Sequence, residues 1–208
     1  MFPDLARDDV FRLETPRLWL RWPRASDAPA LERYCSRWEV AQFTARIPHP
    51  YPPGTAERFI FAARDANASG RDLTLVMTPI RGKREAIGAV SLEGRAQGRL
   101  TLGYALAPEA WGKGLASEAV EAMVEAGFAM TDAVEIDASV RIENPTSRRV
   151  LEKVGFQFVG TGLQGAPARG SLVSCDRFRQ TREAWMMRRA AVAAQAAAIN
   201  RESVHEVP

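Results

Sequence analysis

The chain has 208 residues, 46% apolar and 25% charged, a globular balance that sets aside a fibrous or wholly disordered protein and fits one domain with a tail. No run approaches the roughly 18–20 apolar residues of a membrane span, and residues 1–11 carry acids where an export signal has a basic start, so a cytoplasmic protein with no membrane partner is expected. The net charge of +3, with 25 Arg against 3 Lys, suits a small polyanionic ligand; the arginines are spread along the chain and mixed with acids, which argues against a nucleic-acid partner.

Residues 1–14 are polar and read as a flexible lead-in. Thr15–Trp22 then alternates, with Leu18 and Leu20 opposing Trp19 and Arg21, as a strand does. Ser26 or Asp27 opens a helix running to about Arg37. Prolines 48, 50, 52 and 53 make Ile47–Gly54 a stiff loop, because each removes a donor and restricts the residue before it. His49 within it reads as an ordinary loop residue. Thr55 caps a second helix that ends near Ser69 and Gly70.

Strand-like runs Leu73–Thr78, Ala86–Leu92 and Leu100–Leu106, joined by short turns, predict an antiparallel meander. After Gly114 the period changes. Ala116, Ala119, Val120, Met123, Val124 and Gly127 fall on one helical stripe, with Glu118, Glu121 and Glu125 opposite. Val134, Ile136, Ala138 and Val140 alternate as a strand, and Ser147–Val154 is a short helix stopped by Gly155. Phe156–Gly160 and about Ser174–Met187 supply the last strands around an irregular Gly/Pro stretch. An alanine-rich helix and polar tail occupy 189–208.

Strand, helix, strand from Leu100 to Val140 implies a parallel crossover. The expected fold is therefore α/β, one domain over 15–188 with a mixed parallel and antiparallel sheet flanked by helices. Cys35 and Cys175 are too few for a disulfide framework. With only His49 and His205 beside them, and no close ligand spacing, no metal site is expected.

The stretch that carries chemistry is Pro108–Ser117, PEAWGKGLAS, between a strand and an amphipathic helix. Gly112 and Gly114 let backbone N–H groups turn toward one point. The helix beginning near Leu115 adds its unpaired N–H groups and its dipole, and such a site binds phosphate or pyrophosphate. Lys113 adds charge. A Walker loop is absent, and the third glycine of a dinucleotide fingerprint is Ser117.

Thr101–Val120 resembles the acetyl-CoA loop of the GNAT superfamily of N-acetyltransferases, nearest to the branch with the ribosomal-protein N-terminal acetyltransferases. Trp111 stands at the loop's Gln/Arg place, while Gly114 and Ala116 match its last two marked positions. Glu143–Phe156, ENPTSRRVLEKVGF, resembles the family's Asn-x-x-Ala/Ser…Gly-Phe segment, in the right order after the loop. The likeness spans roughly Thr15–Arg188 and implies a GNAT-like fold.

That resemblance implies acetyl-CoA as co-substrate, with no metal. The pantetheine arm would lie between two splayed strands, bonded by backbone groups of Leu106 and Ala107. The N–H groups of Trp111, Gly112, Lys113, Gly114, Leu115 and Ala116 would hold the pyrophosphate, and Asn144 would bond the cofactor arm. Ser147 would lie near the thioester sulfur. A primary amine, either a protein N-terminus or a small molecule, would attack the thioester directly.

The family's general acid is a tyrosine seven positions after the asparagine. Here that position is Leu151, so Ser147 or water would have to take its place. Glu93, at the end of the strand before the cofactor strand, is the first candidate for the base. Tyr104 is expected as core or as a wall of the site. The protein would work as a monomer or homodimer; a non-catalytic acyl-CoA-binding or regulatory module is the alternative.

Overall fold

A computed structural model describes the backbone of residues 1–205 and the burial of residues 1–195. Its sheet comprises β1 (Arg12–Glu14), β2 (Leu18–Arg21), β3 (Asp72–Pro79), β4 (Gly88–Arg95), β5 (Arg99–Leu106), β6 (Glu135–Arg141), β7 (Gln157–Ala166) and β8 (Ser171–Thr181). The spatial order is β1-β2-β3-β4-β5-β6-β8-β7. Every pairing is antiparallel except β5 with β6. Helices α1 (Ala28–Cys35), α2 (Trp38–Ala41), α3 (Thr55–Ala68), α4 (Leu115–Met130), α5 (Pro145–Val154) and α6 (Arg182–His205) complete the mixed α/β fold. No described helix is long and apolar enough to cross a membrane.

Period-two alternation divides the sheet into two faces. On one, Leu73, Leu75, Val90, Leu92, Leu100 and Leu102 pack against Ala119, Val120, Met123, Val124 and Phe128 of α4. The stripe read along α4 is thus the buried one. Gly127 permits the close approach, because a Cβ there would stand 2.8 Å from Leu92 Cδ1. The other face carries a smaller cluster of Leu31, Tyr34, Cys35, Val40, Ala56 and Ile60 from α1, α2 and α3, with Ala105 and Ala107 against it.

The chain ends differ from the expectation. Residues 1–14 are not a flexible lead-in: Phe2 and Ala6 are buried, the Phe2 N–H donates to the Gly70 carbonyl at 3.0 Å, and Arg12–Glu14 form β1. Two small apolar anchors in a charged segment give no period to read. At the other end, the strand expected to run to Met187 stops at Thr181, whose hydroxyl accepts the Ala184 N–H at 3.1 Å and so caps α6. The helix therefore starts at Arg182, ahead of the expected 189, and Trp185 packs on Phe128 with ring centroids 5.2 Å apart. The Gly/Pro stretch is mostly strand, since β7 and β8 pair from Gln157 to Ala166 around a tip at Pro167–Arg169. Residues 206–208 of the expected polar tail lie outside the described residues.

Two hydrogen-bonded nodes, one buried and one partly exposed, hold the scaffold near the site. β2 covers β3 only from Val76 to Pro79, which leaves the Thr74 backbone uncovered on that side. Asn67 of α3 closes it, accepting the Thr74 N–H at 2.7 Å and donating to the Thr74 carbonyl at 2.9 Å. In the second node Glu118 accepts from the Thr15 hydroxyl at 2.6 Å, the Arg17 N–H at 2.8 Å and Arg17 Nε at 2.6 Å. Arg17 Nη1 goes on to the Lys113 carbonyl at 2.8 Å. Partial burial pushes the Glu118 carboxyl up, but the bonds from Thr15 and Arg17 outweigh it and hold it below the usual carboxylate range.

Two outcomes follow for stability. Asn67→Leu strands a buried N–H and a buried carbonyl at about 1–3 kcal/mol each, so urea unfolding should show a loss of about 2–6 kcal/mol. Glu118→Gln should cost about 1–2 kcal/mol at neutral pH. Because the folded pKa is depressed, that contribution is present above the unfolded value near ~4.3 and is lost as pH falls through the folded one. The gap between wild type and Glu118→Gln should therefore close in acid.

Candidate active site

The one parallel pairing in the sheet runs from Arg99 and Glu135 to Leu102 and Ala138, then stops. Beyond it β5 keeps its register with β4 through Leu106, and β6 keeps its register with β8 through Arg141. The two strands thus part, each satisfied on its outer flank. The Ala107 N–H donates to the Ile87 carbonyl at 2.8 Å, so alternation turns the N–H groups of Tyr104 and Leu106 into the gap. A backbone donor there needs water or a ligand.

A cavity of about 740 Å³ passes through this gap, lined on one face by Tyr104, Leu106, Ala116 and Ser147 and on the other by Tyr34, Phe43, Tyr51 and Glu93. The glycine loop lies at its first mouth. Gly112 and Gly114 have φ of +71° and +72°, a left-handed conformation that favours glycine. The N–H groups from Gly112 to Ala116 have no acceptor among the described residues. Arg17 holds the Lys113 carbonyl from behind, which leaves the donors facing outward.

Several expected groups take different partners. The Trp111 N–H donates to the Pro108 carbonyl at 3.0 Å, so the free donors begin at Gly112. The Trp111 indole bonds the Leu106 carbonyl at 3.0 Å and lies across the gap. Ala107 faces away from the gap: its N–H serves Ile87 and its carbonyl accepts from Ala110 at 2.9 Å. Lys113 lines a neighbouring cavity with Arg33, Arg37 and Glu109, and Leu115 opens α4.

Asn144 caps α5, its Oδ1 accepting the Ser147 N–H at 3.0 Å. Ser147 therefore sits in the first turn of α5 beside the cavity. Its Oγ is 2.7 Å from the Tyr104 hydroxyl, a contact between β5 and α5 that spans 43 residues of sequence. Burial pushes the Tyr104 phenol up to about 12, although its bond with Ser147 draws it down. Leu151, at the family's tyrosine place, is fully buried in the core.

The second mouth is aromatic and apolar. Glu93 reaches it, but Arg46 binds both its carboxylate oxygens and Arg95 donates at 2.6 Å. Partial burial raises the Glu93 carboxyl, yet the two guanidiniums prevail and hold it low. The other lining carboxylates are also held, Glu39 by Arg37 and Asp72 by Arg71. Arg169, at the β7–β8 tip, donates to the Ala41 and Ile47 carbonyls and stacks over Trp38, while Arg141 donates to the Gln42 carbonyl at 3.3 Å. His49 packs on Trp38 with ring centroids 5.2 Å apart. Reading the sequence missed Tyr104 as a partner of Ser147, and missed Arg17, Arg46 and Arg169. Only Arg17, inside the TPRL segment, sits in a recognisable motif.

This geometry has relatives. The family model described as an Acetyltransferase (GNAT) domain matches residues 17–157. The N-acetyltransferase p20 of Bacillus licheniformis, itself uncharacterized, is 30% identical over 168 residues, covering 80% of this chain and 93% of its own. Mycobacterium smegmatis RimJ, solved in complex with CoA-disulfide, superposes with a TM-score of 0.70 at 23% identity over 83% of this chain and 87% of that one. A spermidine N-acetyltransferase from Vibrio cholerae, solved with CoA and spermine, gives 0.67 at 18% identity over 81% and 98%. With a family model across most of the sheet and a relative aligned over nearly its whole length, the chain belongs to the GNAT family of acetyltransferases.

Proposed function

We propose that this chain transfers an acetyl group from acetyl-CoA to the primary amine of an acceptor whose amine is carried on an apolar group. The observation that carries the reading is the unpaired inner edge of β5 opposite the glycine loop, two sets of free backbone donors at the ends of one channel. The RimJ structure with its CoA ligand supports the same placement by analogy of fold. In this reading the N–H groups from Gly112 to Ala116 hold the pyrophosphate, the Leu106 N–H takes a pantetheine amide, and Asn144 Nδ2 bonds the arm.

The acceptor amine attacks the thioester carbon; the C–N bond forms and the C–S bond breaks with its electron pair on sulfur. One amine proton is lost and one proton ends on the thiol, so the products are an N-substituted acetamide and free CoA. The Tyr104 N–H, beside Ser147, faces the carbonyl oxygen as charge builds there, an effect on the order of 2.7–4 kcal/mol for an oxyanion donor. Ser147 supplies the hydroxyl near sulfur. Glu93, ionised and clamped by Arg46 and Arg95, is a poor base and instead sets the charge of the acceptor mouth. An α-amine near ~7.7–8.0 loses its proton with little help, unlike a lysine amine near ~10.4.

The acceptor mouth argues for one amine on an apolar carrier. Tyr34, Phe43, Tyr51, Ile47 and Phe59 line it, and each of its carboxylates already has an arginine. A polyamine would find no unpaired anion among these lining carboxylates; Glu32 and Glu57 stand near Tyr51 but do not line the cavity. A protein N-terminus with an apolar first side chain and an aromatic monoamine both fit.

Purified protein with acetyl-CoA and an amine panel tests the proposal by CoA release. Apolar monoamines or peptides with apolar N-termini should turn over at least ten times faster than spermidine at equal concentration; the reverse order would sink the acceptor assignment. Ser147→Ala should lower kcat about 10–100-fold, the effect of losing a hydrogen bond to a charged group worth about 1.5–3 kcal/mol, with the Kd of acetyl-CoA little changed. Gly114→Glu places a side chain in a left-handed backbone and an anion beside the pyrophosphate, and should weaken acetyl-CoA at least tenfold by calorimetry. Tight cofactor binding with no turnover on any amine would favour a non-catalytic acyl-CoA-binding module.

A further inference from the structure

We infer that Tyr104 is a positioning residue for acetyl transfer: its hydroxyl donates to Ser147 Oγ and thereby leaves the serine proton free to bond the departing sulfur. The inference rests on the transfer reading above and goes beyond it, because the family's tyrosine on α5 is replaced here by Leu151, which lies in the core. The phenol comes instead from β5, the strand flanking the gap opposite β6, and meets Ser147 on the same face of the sheet.

Either oxygen could donate in this contact, and the phenol has one proton for two acceptors, so relative acidity, not distance, assigns the direction. Tyr104 Oη has two partners, Ser147 Oγ at 2.7 Å and the Ser147 carbonyl at 3.3 Å. The shorter contact joins a phenol to an alkanol, and the phenol is the more acidic O–H, so it is the better donor. With Oγ accepting from the phenol, the serine proton must point elsewhere, and the free direction is the channel that Ser147 lines. In the opposite arrangement the serine proton would be spent on the tyrosine and nothing would face the sulfur.

The serine is also held from behind. Its N–H donates to Asn144 Oδ1 at 3.0 Å in the α5 cap, which fixes the backbone and leaves χ1 and the hydroxyl rotor to be set by the Tyr104 contact. Tyr104 removes that freedom. A hydroxyl turned to the right place before sulfur departs needs no reorganisation at the moment of reaction. Burial keeps the phenol protonated across the neutral range, so the donor is always present. Glu93 and its two arginines do not share this arrangement, since alternation along β4 puts Glu93 on the face opposite Val90 and Leu92.

The test is a double-mutant cycle in wild-type protein, Tyr104→Phe, Ser147→Ala and the double variant, at a temperature where circular dichroism shows all four folded. The amine is the best acceptor from the panel. Tyr104→Phe is expected to lower kcat about 5–30-fold while the KM for acetyl-CoA and its calorimetric Kd stay within twofold. In the Ser147→Ala background the same change should have an effect below twofold, because the hydroxyl it orients is gone. A Tyr104→Phe variant with wild-type kcat would overturn the proposal, and so would equal losses in both backgrounds, which would mean that Tyr104 acts without Ser147. A fall in acetyl-CoA affinity that accounts for the whole loss would reduce Tyr104 to a packing residue and overturn it too. Absence of turnover in the wild-type protein is a separate result: it would overturn the transfer reading, and the proposal with it.

Discussion

The site exists because β5 and β6 stop pairing after Leu102 and Ala138. Parting two central strands is costly if it leaves buried amides dry, at about 1–3 kcal/mol for each unmet group. The chain limits that cost by giving each strand a full partner on its outer side, β4 for β5 and β8 for β6. Only the inner row is left open, apart from the Leu106 carbonyl, which the Trp111 indole takes. A ligand with its own amides completes that row as a further strand would, which is why the opening suits an amide-bearing arm better than a purely apolar one. The remaining parts of the donor end are consequences of the opening: α4 springs from the end of β5, α5 from the end of β6, and both present first-turn groups to the same channel.

Arginine keeps this open sheet in shape. The predominance of Arg over Lys leaves the charge ambiguous, but the structure gives many of these side chains work within the chain. Arg182 donates to the Phe128 and Ala133 carbonyls at 2.8 Å each, closing the C-terminal end of α4. Arg17 ties the glycine loop to β2, Arg169 and Arg141 fasten the loop over the acceptor mouth, and Arg188 reaches the Lys153 carbonyl at the end of α5. A planar fork with five donors can bond a carbonyl and a carboxylate together, which a lysine ammonium does less well. Arginines so engaged are not a free basic surface, and the modest positive charge says correspondingly little about partners.

What the sequence disclosed and what it concealed follow from the range of each interaction. The meander, the crossover and the two motifs are local patterns with their own period or spacing, and they stand in the structure where the sequence puts them. The α4 stripe, the Asn144 cap and the Gly155 stop are equally local. Contacts across the fold leave no such trace. The Tyr104 hydroxyl on Ser147, Arg46 on Glu93 and Arg169 on the Ala41 carbonyl join residues tens of positions apart, with no repeat to mark them. Ala107 shows a third kind of miss. The family motif points to the end of β5, but the pleat decides which residue there faces the gap, and Ala107 is one position out of phase.

The two faces of the sheet also separate two tasks. The glycine loop, Asn144, Ser147 and Tyr104 belong to the α4 and α5 side, where the first turns of two helices fix their geometry. The acceptor mouth is made by α1, α3 and the segment between α2 and α3, a stretch held by side chains from β7–β8 and β6 and not by strand pairing. Changes in that segment alter what the channel admits without moving a donor of the cofactor end, because the sheet stands between them. On the proposed reading, rigid regular structure carries the chemistry and a pinned loop the choice of amine. On this division, two chains with the same strands and the same glycine loop can act on different amines, and a name carried over from a neighbour of equal fold leaves the acceptor open until the loop itself is compared.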